Sequence, residues 1–253
     1  MRVFFLGFLI FFSLNVWGGK ILVATAANVR YAMDELRSAF KEKTGIDVKI
    51  SVASSGKLTA QIKSGAPFDI FLSANMKYPN YLHEKGLTLT KPKVYALGSL
   101  VIWSLKLKKE DVKKGMDVLK EERVKKIAIA NPKNAPYGFE AMKALKKVGI
   151  YEDIKGKLIY GESVAQTSQY IASKVADIGF TAKSVVLSPK MRGKGWWIDV
   201  DPSFYDPIEQ GAVILKNAKK HLKEVKAFYD FLFSEDAKKI FEKYGYRVIL
   251  ESK

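Results

Sequence analysis

Four short stretches hold residues able to grip a small anion, and each lies between a strand-like apolar run and the start of a helix-like pattern. They are Thr25-Ala26-Ala27-Asn28, Ala53-Ser54-Ser55-Gly56-Lys57, Asn131-Pro132-Lys133-Asn134-Ala135-Pro136-Tyr137-Gly138 and Gly161-Glu162-Ser163-Val164-Ala165. The start of a helix exposes unpaired N–H groups and a partial positive charge, so it binds anions without a formal cation. The hydroxyls of Ser54 and Ser55 add donors, and Gly56 gives a ligand unhindered access to the backbone. The first three loops contain no Asp or Glu. That suits an oxyanion that only accepts hydrogen bonds, and it suits monoprotonated phosphate less, because the phosphate O–H needs an acceptor. Glu162 is the exception, and its side chain is expected to point away from the ligand. Asn28 is also a favoured N-cap residue, and any one of these loops taken singly reads as no more than a capped helix. The residues alone reach an anion or small polar ligand and no further.

The elements that must position these loops alternate between strand and helix. Strand patterns fall at 20–24, 46–52, 69–73, 95–103, 127–130, 158–161, 178–181 and 211–215, and helical patterns at 29–43, 58–63, 79–84, 139–148, 165–174, 221–232 and 235–243. Residues 46–52 alternate apolar and polar, whereas Val29, Ala32, Met33, Leu36 and Phe40 recur at helical spacing. Such alternation predicts an α/β fold with mostly parallel sheets covered on both faces. Ligands bind such sheets where loops leave the carboxyl ends of strands, which is where the four loops stand.

The chain has 253 residues, 43 Lys and Arg against 26 Asp and Glu, a formal charge of +17, and no cysteine. Met1-Arg2, an apolar run over 3–14 and the small residues Gly18 and Gly19 read as a signal peptide of residues 1–18. Its run is too short to favour a stable membrane span. The remainder, about 235 residues, suits two lobes of roughly 100 residues each. The lack of cysteine excludes disulfides, thiolate catalysis and a lipid-modified N-terminus. Basic residues are interleaved with acids, as in Lys120-Glu121-Glu122-Arg123, which is the pattern of solvated helix faces.

An enzyme is not expected. His83 and His221 lie on polar helices and are read as surface residues, and neither a GxxxxGK[ST] loop nor a G-x-S-x-G elbow occurs. No cofactor or protein-bound metal is expected, and Tyr244-Gly245-Tyr246 and Trp196-Trp197 are read as packing. A basic polyanion-binding module rests on charge alone and predicts binding that falls steeply with salt.

Residues 53–74, from Ala53-Ser54-Ser55-Gly56-Lys57 through Pro67-Phe68-Asp69-Ile70-Phe71-Leu72-Ser73-Ala74, resemble the periplasmic molybdate-binding protein family of ABC transporters (ModA). Agreement in order and spacing continues at Ala135-Pro136-Tyr137-Gly138, residues 160–167, Ala176-Asp177-Ile178-Gly179-Phe180, residues 207–213, and the tail at 228–232 and 244–246. The resemblance implies a type II periplasmic-binding-protein fold: lobe one of residues 19–97 plus 211–253, lobe two of residues 98–210, and two crossover segments near 96–99 and 209–212. It implies an oxyanion held by Asn28 through its NH₂, Ser55 through hydroxyl and N–H, Tyr137 through backbone and phenol, Val164 through its N–H, and Ala27 through its backbone. Members with serine at the Asn28 position also use a tyrosine where this chain has Ala182, and the Tyr137 phenol is inferred to replace it. The implied function is capture of molybdate or tungstate outside the cytoplasm and delivery to an ABC membrane permease. A monomer is expected, with no nucleic-acid partner. Another oxyanion such as sulfate is the alternative ligand.

Overall fold

The computed structural model describes residues 20–248, so the expected signal peptide lies outside the described residues. The strand patterns become β1 (Ile21–Ala26), β2 (Val48–Ala53), β3 (Ile70–Ser73), β4 (Lys93–Gly98), β5 (Leu100–Ser104), β6 (Ile127–Ala130), β7 (Leu158–Gly161), β8 (Ile178–Ala182) and β10 (Ile208–Ile214), and a strand the sequence pattern did not mark, β9 (Trp196–Asp199), is added. They form two five-stranded sheets, ordered β2-β1-β3-β10-β4 and β7-β6-β8-β5-β9. In the first, β1 runs parallel to β2 and β3, and β10 is antiparallel to β3 and β4. The second repeats the scheme: β6 is parallel to β7 and β8, and β5 is antiparallel to β8 and β9. Each sheet is therefore mixed, with three parallel strands at one side. The result is a two-lobed α/β fold.

The run at 95–103, expected as one strand, divides at Ser99 between the two sheets. β4 ends at Gly98 in the first sheet, and β5 begins at Leu100 in the second. A continuous apolar pattern cannot report such a change of sheet, because both halves are buried strands. The return crossing comes at β10, where Ile208 pairs with Gly98 and the register shifts between Gln210 and Gly211.

The helices are α1 (Arg30–Thr44), α2 (Ser55–Lys63), α3 (Lys77–Glu84), α4 (Lys109–Val112), α5 (Pro136–Lys147), α6 (Tyr151–Ile154), α7 (Val164–Ala172), α8 (Lys183–Val186), α9 (Leu222–Phe231) and α10 (Glu235–Lys243). The helical spacing of α1 buries Ala32, Met33, Leu36 and Phe40 on one face, as an amphipathic helix should. Phe40 meets Phe228 of α9 edge-on, with ring centroids 5.0 Å apart. After α10 the chain returns to the edge of the first sheet, where Leu97 and Arg247 exchange backbone hydrogen bonds of 2.7 and 2.9 Å. The C-terminal helices are thus fastened to the first lobe.

Two readings of side chains need correction. His221 is not a surface residue: its Nε2 lies 3.1 Å from a carboxylate oxygen of Asp69, which is buried and also accepts from the Leu22 N–H and the Asn217 amide. A buried carboxylate must find donors, which here are Leu22 and Asn217, while His221 Nε2 lies beside it without a hydrogen bond; His83 is exposed, with Nδ1 2.7 Å from Thr88 Oγ1. Trp196 is 46% exposed, with Lys109 over its ring, while Trp197 packs on the core of the second lobe. Neighbours on a strand face opposite ways, so on edge strand β9 only one of the pair packs inward.

Candidate functional site

Each of the four loops joins the carboxyl end of a parallel strand to the N-terminus of a helix: β1 to α1, β2 to α2, β6 to α5 and β7 to α7. The first passes through a single 3-10 turn, Ala27–Val29, before α1. Two loops come from each sheet, and they meet across the gap between the lobes. The Gly56 N–H donates to the Asn134 carbonyl at 2.9 Å, joining the second loop to the third. Ala27, Ala135, Tyr137 and Val164 belong to one apolar cluster, which brings the first loop to the third and fourth. Ser55 is tied in by its Oγ, which accepts from the N–H of Ala74, a member of the same cluster.

The helices begin earlier than the apolar periodicity indicates. Ser55 is the first residue of α2, Tyr137 lies in the first turn of α5 behind Pro136, and Val164 is the first residue of α7. Their backbone N–H groups therefore belong to the set that has no intrahelical acceptor. Pro136 suits that position because it has no N–H to satisfy. Ser163 caps α7 through its side chain, accepting from the Gln166 N–H. Ser54 stands at the matching place before α2 but makes no side-chain cap, and its Oγ is buried without a partner.

Unpaired buried oxygens gather here. Ser54 Oγ, Asn134 Oδ1, Asn28 Oδ1 and the Tyr137 hydroxyl are buried without a hydrogen-bond partner among the described residues. Native structures rarely leave such groups unsatisfied. Ser55 is fully buried, and because its Oγ already accepts from Ala74 N–H its proton is free to be donated elsewhere. Burial pushes the Tyr137 phenol well above its ordinary value, helped by Tyr246, Tyr95 and Tyr205, with a smaller opposing effect from Asn28. It is therefore a neutral O–H donor at neutral pH. The carboxylates nearest in sequence, Glu162 and Glu209, are exposed. The helix N-termini thus offer N–H and O–H donors beside the two amide oxygens, and the one carboxylate within the four loops, that of Glu162, is exposed.

All five expected residues come together, but two are used differently. Asn28 does not cap α1: it is 1% exposed within the 3-10 turn, and its Nδ2 donates to Gln210 Oε1 at 2.7 Å and to the Tyr246 hydroxyl at 2.9 Å. The NH₂ that the resemblance assigns to the ligand is spent inside the protein. The Tyr137 phenol is directed at the crossing: a Cβ on Gly98 would stand 2.0 Å from its oxygen. Ala182 is fully buried at the end of β8. Sequence reasoning counted the Ser54 hydroxyl as a donor but did not single out Asn134, Gln210, Ser184 or Tyr246. Ser184 Oγ donates to the Asn28 carbonyl at 2.7 Å, and the Tyr246 hydroxyl reaches the same carbonyl at 3.0 Å. Tyr246 does pack, edge-on against Phe241, but its hydroxyl has this second use. Gln210 and Tyr246 lie in segments that carry the family resemblance, which was the available signal.

Two mixed sheets, joined by two chain crossings and presenting helix N-termini to a common cleft, define a two-lobed solute-binding protein. The bacterial extracellular solute-binding protein family matches residues 21–247. The molybdate-binding protein ModA of Rhodobacter capsulatus is 38% identical over 235 residues, covering 92% of this chain and 90% of that protein. The periplasmic molybdate-binding protein of Azotobacter vinelandii superposes with a TM-score of 0.84 at 31% identity, covering 92% of this chain and 100% of the other. The sulfate-binding protein SubI of Mycobacterium tuberculosis shares the fold alone, with a TM-score of 0.75 at 15% identity over 91% and 87% of the two chains. The chain belongs to the ModA family of bacterial extracellular solute-binding proteins.

Proposed function

We propose that this protein captures molybdate or tungstate in the cleft between its lobes and delivers it to an ABC membrane permease. The observation that carries this reading is a lining rich in N–H and O–H donors, drawn from four helix N-termini on two lobes, with no carboxylate in the first three loops. A tetrahedral dianion with no proton of its own is satisfied by such a lining, and helix dipoles stabilise its charge. Family membership and relatives that are themselves molybdate-binding proteins support the choice of ion.

The contacts assigned to the ligand are the backbone N–H groups of Ala27, Asn28, Tyr137 and Val164, and the hydroxyl and N–H of Ser55. Lobe one comprises residues 19–97 with 211–253, and lobe two residues 98–210. A ligand held from both lobes stabilises the closed state by its differential affinity for it. The protein works outside the cytoplasm after removal of residues 1–18, as a monomer, as a carrier and not an enzyme. Molybdenum or tungsten enters as cargo, without a resident cofactor.

The test is calorimetric titration of purified residues 19–253 with molybdate, tungstate, sulfate and phosphate in moderate salt. Saturable one-to-one binding of molybdate or tungstate is expected, with sulfate and phosphate silent. Sulfate has shorter bonds, so donors spaced for the larger ion make stretched hydrogen bonds to it. Binding of sulfate or phosphate without molybdate would leave the fold standing and overturn the ligand.

A further inference from the structure

Several buried polar side chains meet where the chain crosses between the lobes, and their hydrogen bonds can be counted. Gln210 is fully buried on β10, at the register shift beside the crossing. Its Nε2 donates to the carbonyls of Ile208 at 3.0 Å and Ala74 at 3.4 Å. Two carbonyl acceptors decide which end of that amide is nitrogen, so its Oε1 must face Asn28 and accept from Nδ2. The second hydrogen of Asn28 Nδ2 goes to Tyr246. Both donors of Asn28 are thereby spent, and its Oδ1 is left buried and unpaired.

An oxyanion cannot repair this, because a fully deprotonated ligand has no hydrogen to offer. Ser184 Oγ and the Tyr246 hydroxyl are engaged at the Asn28 carbonyl. Two buried phenols nearby have no partner among the described residues, those of Tyr95 and Tyr137; Tyr95 stands on β4 of the first sheet, whereas Tyr137, at the start of α5, comes from the second lobe and can join the two. A Cβ on Gly98 would lie 2.0 Å from that phenol oxygen and 3.0 Å from Gln210 Nε2, so phenol and amide network share the space over the Gly98 backbone. The Asn28 amide is also close enough to act on the phenol's ionisation.

The geometry points to Tyr137 as a positioning residue whose phenol donates to Asn28 Oδ1 when the lobes close, latching the second lobe to the loop that carries the Ala27 and Asn28 N–H groups. This rests on the reading of the cleft as an oxyanion site and deepens it. Closure pairs two buried groups that are each costly to leave unpaired. The latch acts on the lifetime of the closed state and not on the choice of ion. Gly98 provides the room: any side chain there would push the phenol away from Asn28.

A double-mutant cycle on the mature protein tests the latch, with molybdate as probe. Tyr137→Phe should weaken binding about tenfold, mainly through faster release, and leave the preference for molybdate over sulfate unchanged. In an Asn28→Ala background, Tyr137→Phe should change the affinity by less than about twofold, because the partner is already gone. Asn28→Leu, which keeps the branching of the side chain without its polar atoms, should give the same result, and Gly98→Ala should reproduce Tyr137→Phe by displacing the phenol. An equal loss from Tyr137→Phe with and without Asn28 would overturn the inference and make the phenol a direct ligand. Wild-type affinity in Tyr137→Phe would overturn it too. A wild-type protein that binds none of the oxyanions would instead overturn the proposed function.

Discussion

At the scale of single residues, the site separates into side chains that were visible in the sequence and side chains that distance concealed. Ser55 was visible because hydroxyls cluster at an expected helix start, and the structure gives its Oγ two uses, accepting from Ala74 N–H and keeping a proton to donate. Ser55→Ala should therefore lower both affinity and stability. Loss of one donor to an anion corresponds to about 1.5–3 kcal/mol of binding, and the orphaned Ala74 N–H costs roughly 1–3 kcal/mol of stability. Calorimetry and denaturant melts of the unliganded protein would separate the two effects; unchanged affinity with reduced stability would remove the Ser55 hydroxyl from the ligand. Asn28 was visible as well, but as an N-cap. Its partners Gln210 and Tyr246 lie 182 and 218 residues further along, and no local pattern carries a contact of that span.

Among the elements, strand and helix order was readable nearly throughout, and the helix starts were not. Periodicity placed the second, third and fourth site helices at 58, 139 and 165, whereas they begin at Ser55, Pro136 and Val164. The shortfall has a physical cause. A first turn that faces a cleft holds small and polar residues, so it lacks the apolar repeat that marks a helix packed on a core. The short helices α4, α6 and α8 escaped for a related reason: four residues are too few to show a helical period. Val164 offers a test of a backbone donor at this scale. It is the first residue of α7, preceded by Ser163 in an extended conformation with φ −156° and ψ 169°, and proline is tolerated at that position. Val164→Pro should keep the helix and the melting temperature while removing one N–H, weakening oxyanion binding about tenfold or more. Retained affinity would show that the Val164 N–H does not reach the ligand.

For the whole molecule, the approach of one lobe to the other is limited where the second loop meets the third. A Cβ on Gly56 would lie 2.9 Å from Asn134 Cβ and 2.9 Å from the Tyr78 hydroxyl, and the Gly56 N–H makes the 2.9 Å bond to Asn134. Alanine is the better helix former by about 1 kcal/mol, so Gly56→Ala should preserve or raise the stability of the unliganded protein. It should nonetheless weaken oxyanion binding and enlarge the liganded particle in small-angle scattering, because the lobes cannot reach the same separation. A variant as compact as wild type with ligand would show that the contact yields without cost.

The order of strands also governs the order of assembly. The second sheet is built from one continuous stretch, from Leu100 in β5 to Asp199 in β9, but the first must wait for β10, which inserts between β3 and β4. During synthesis β3 therefore keeps an open edge until Ile208–Ile214 emerges, and α9 and α10 reach their places on the first lobe later still. Pairings of such long sequence separation form slowly. A nascent chain of this design has half its architecture withheld until the end, which suits the export that forms part of the proposed function.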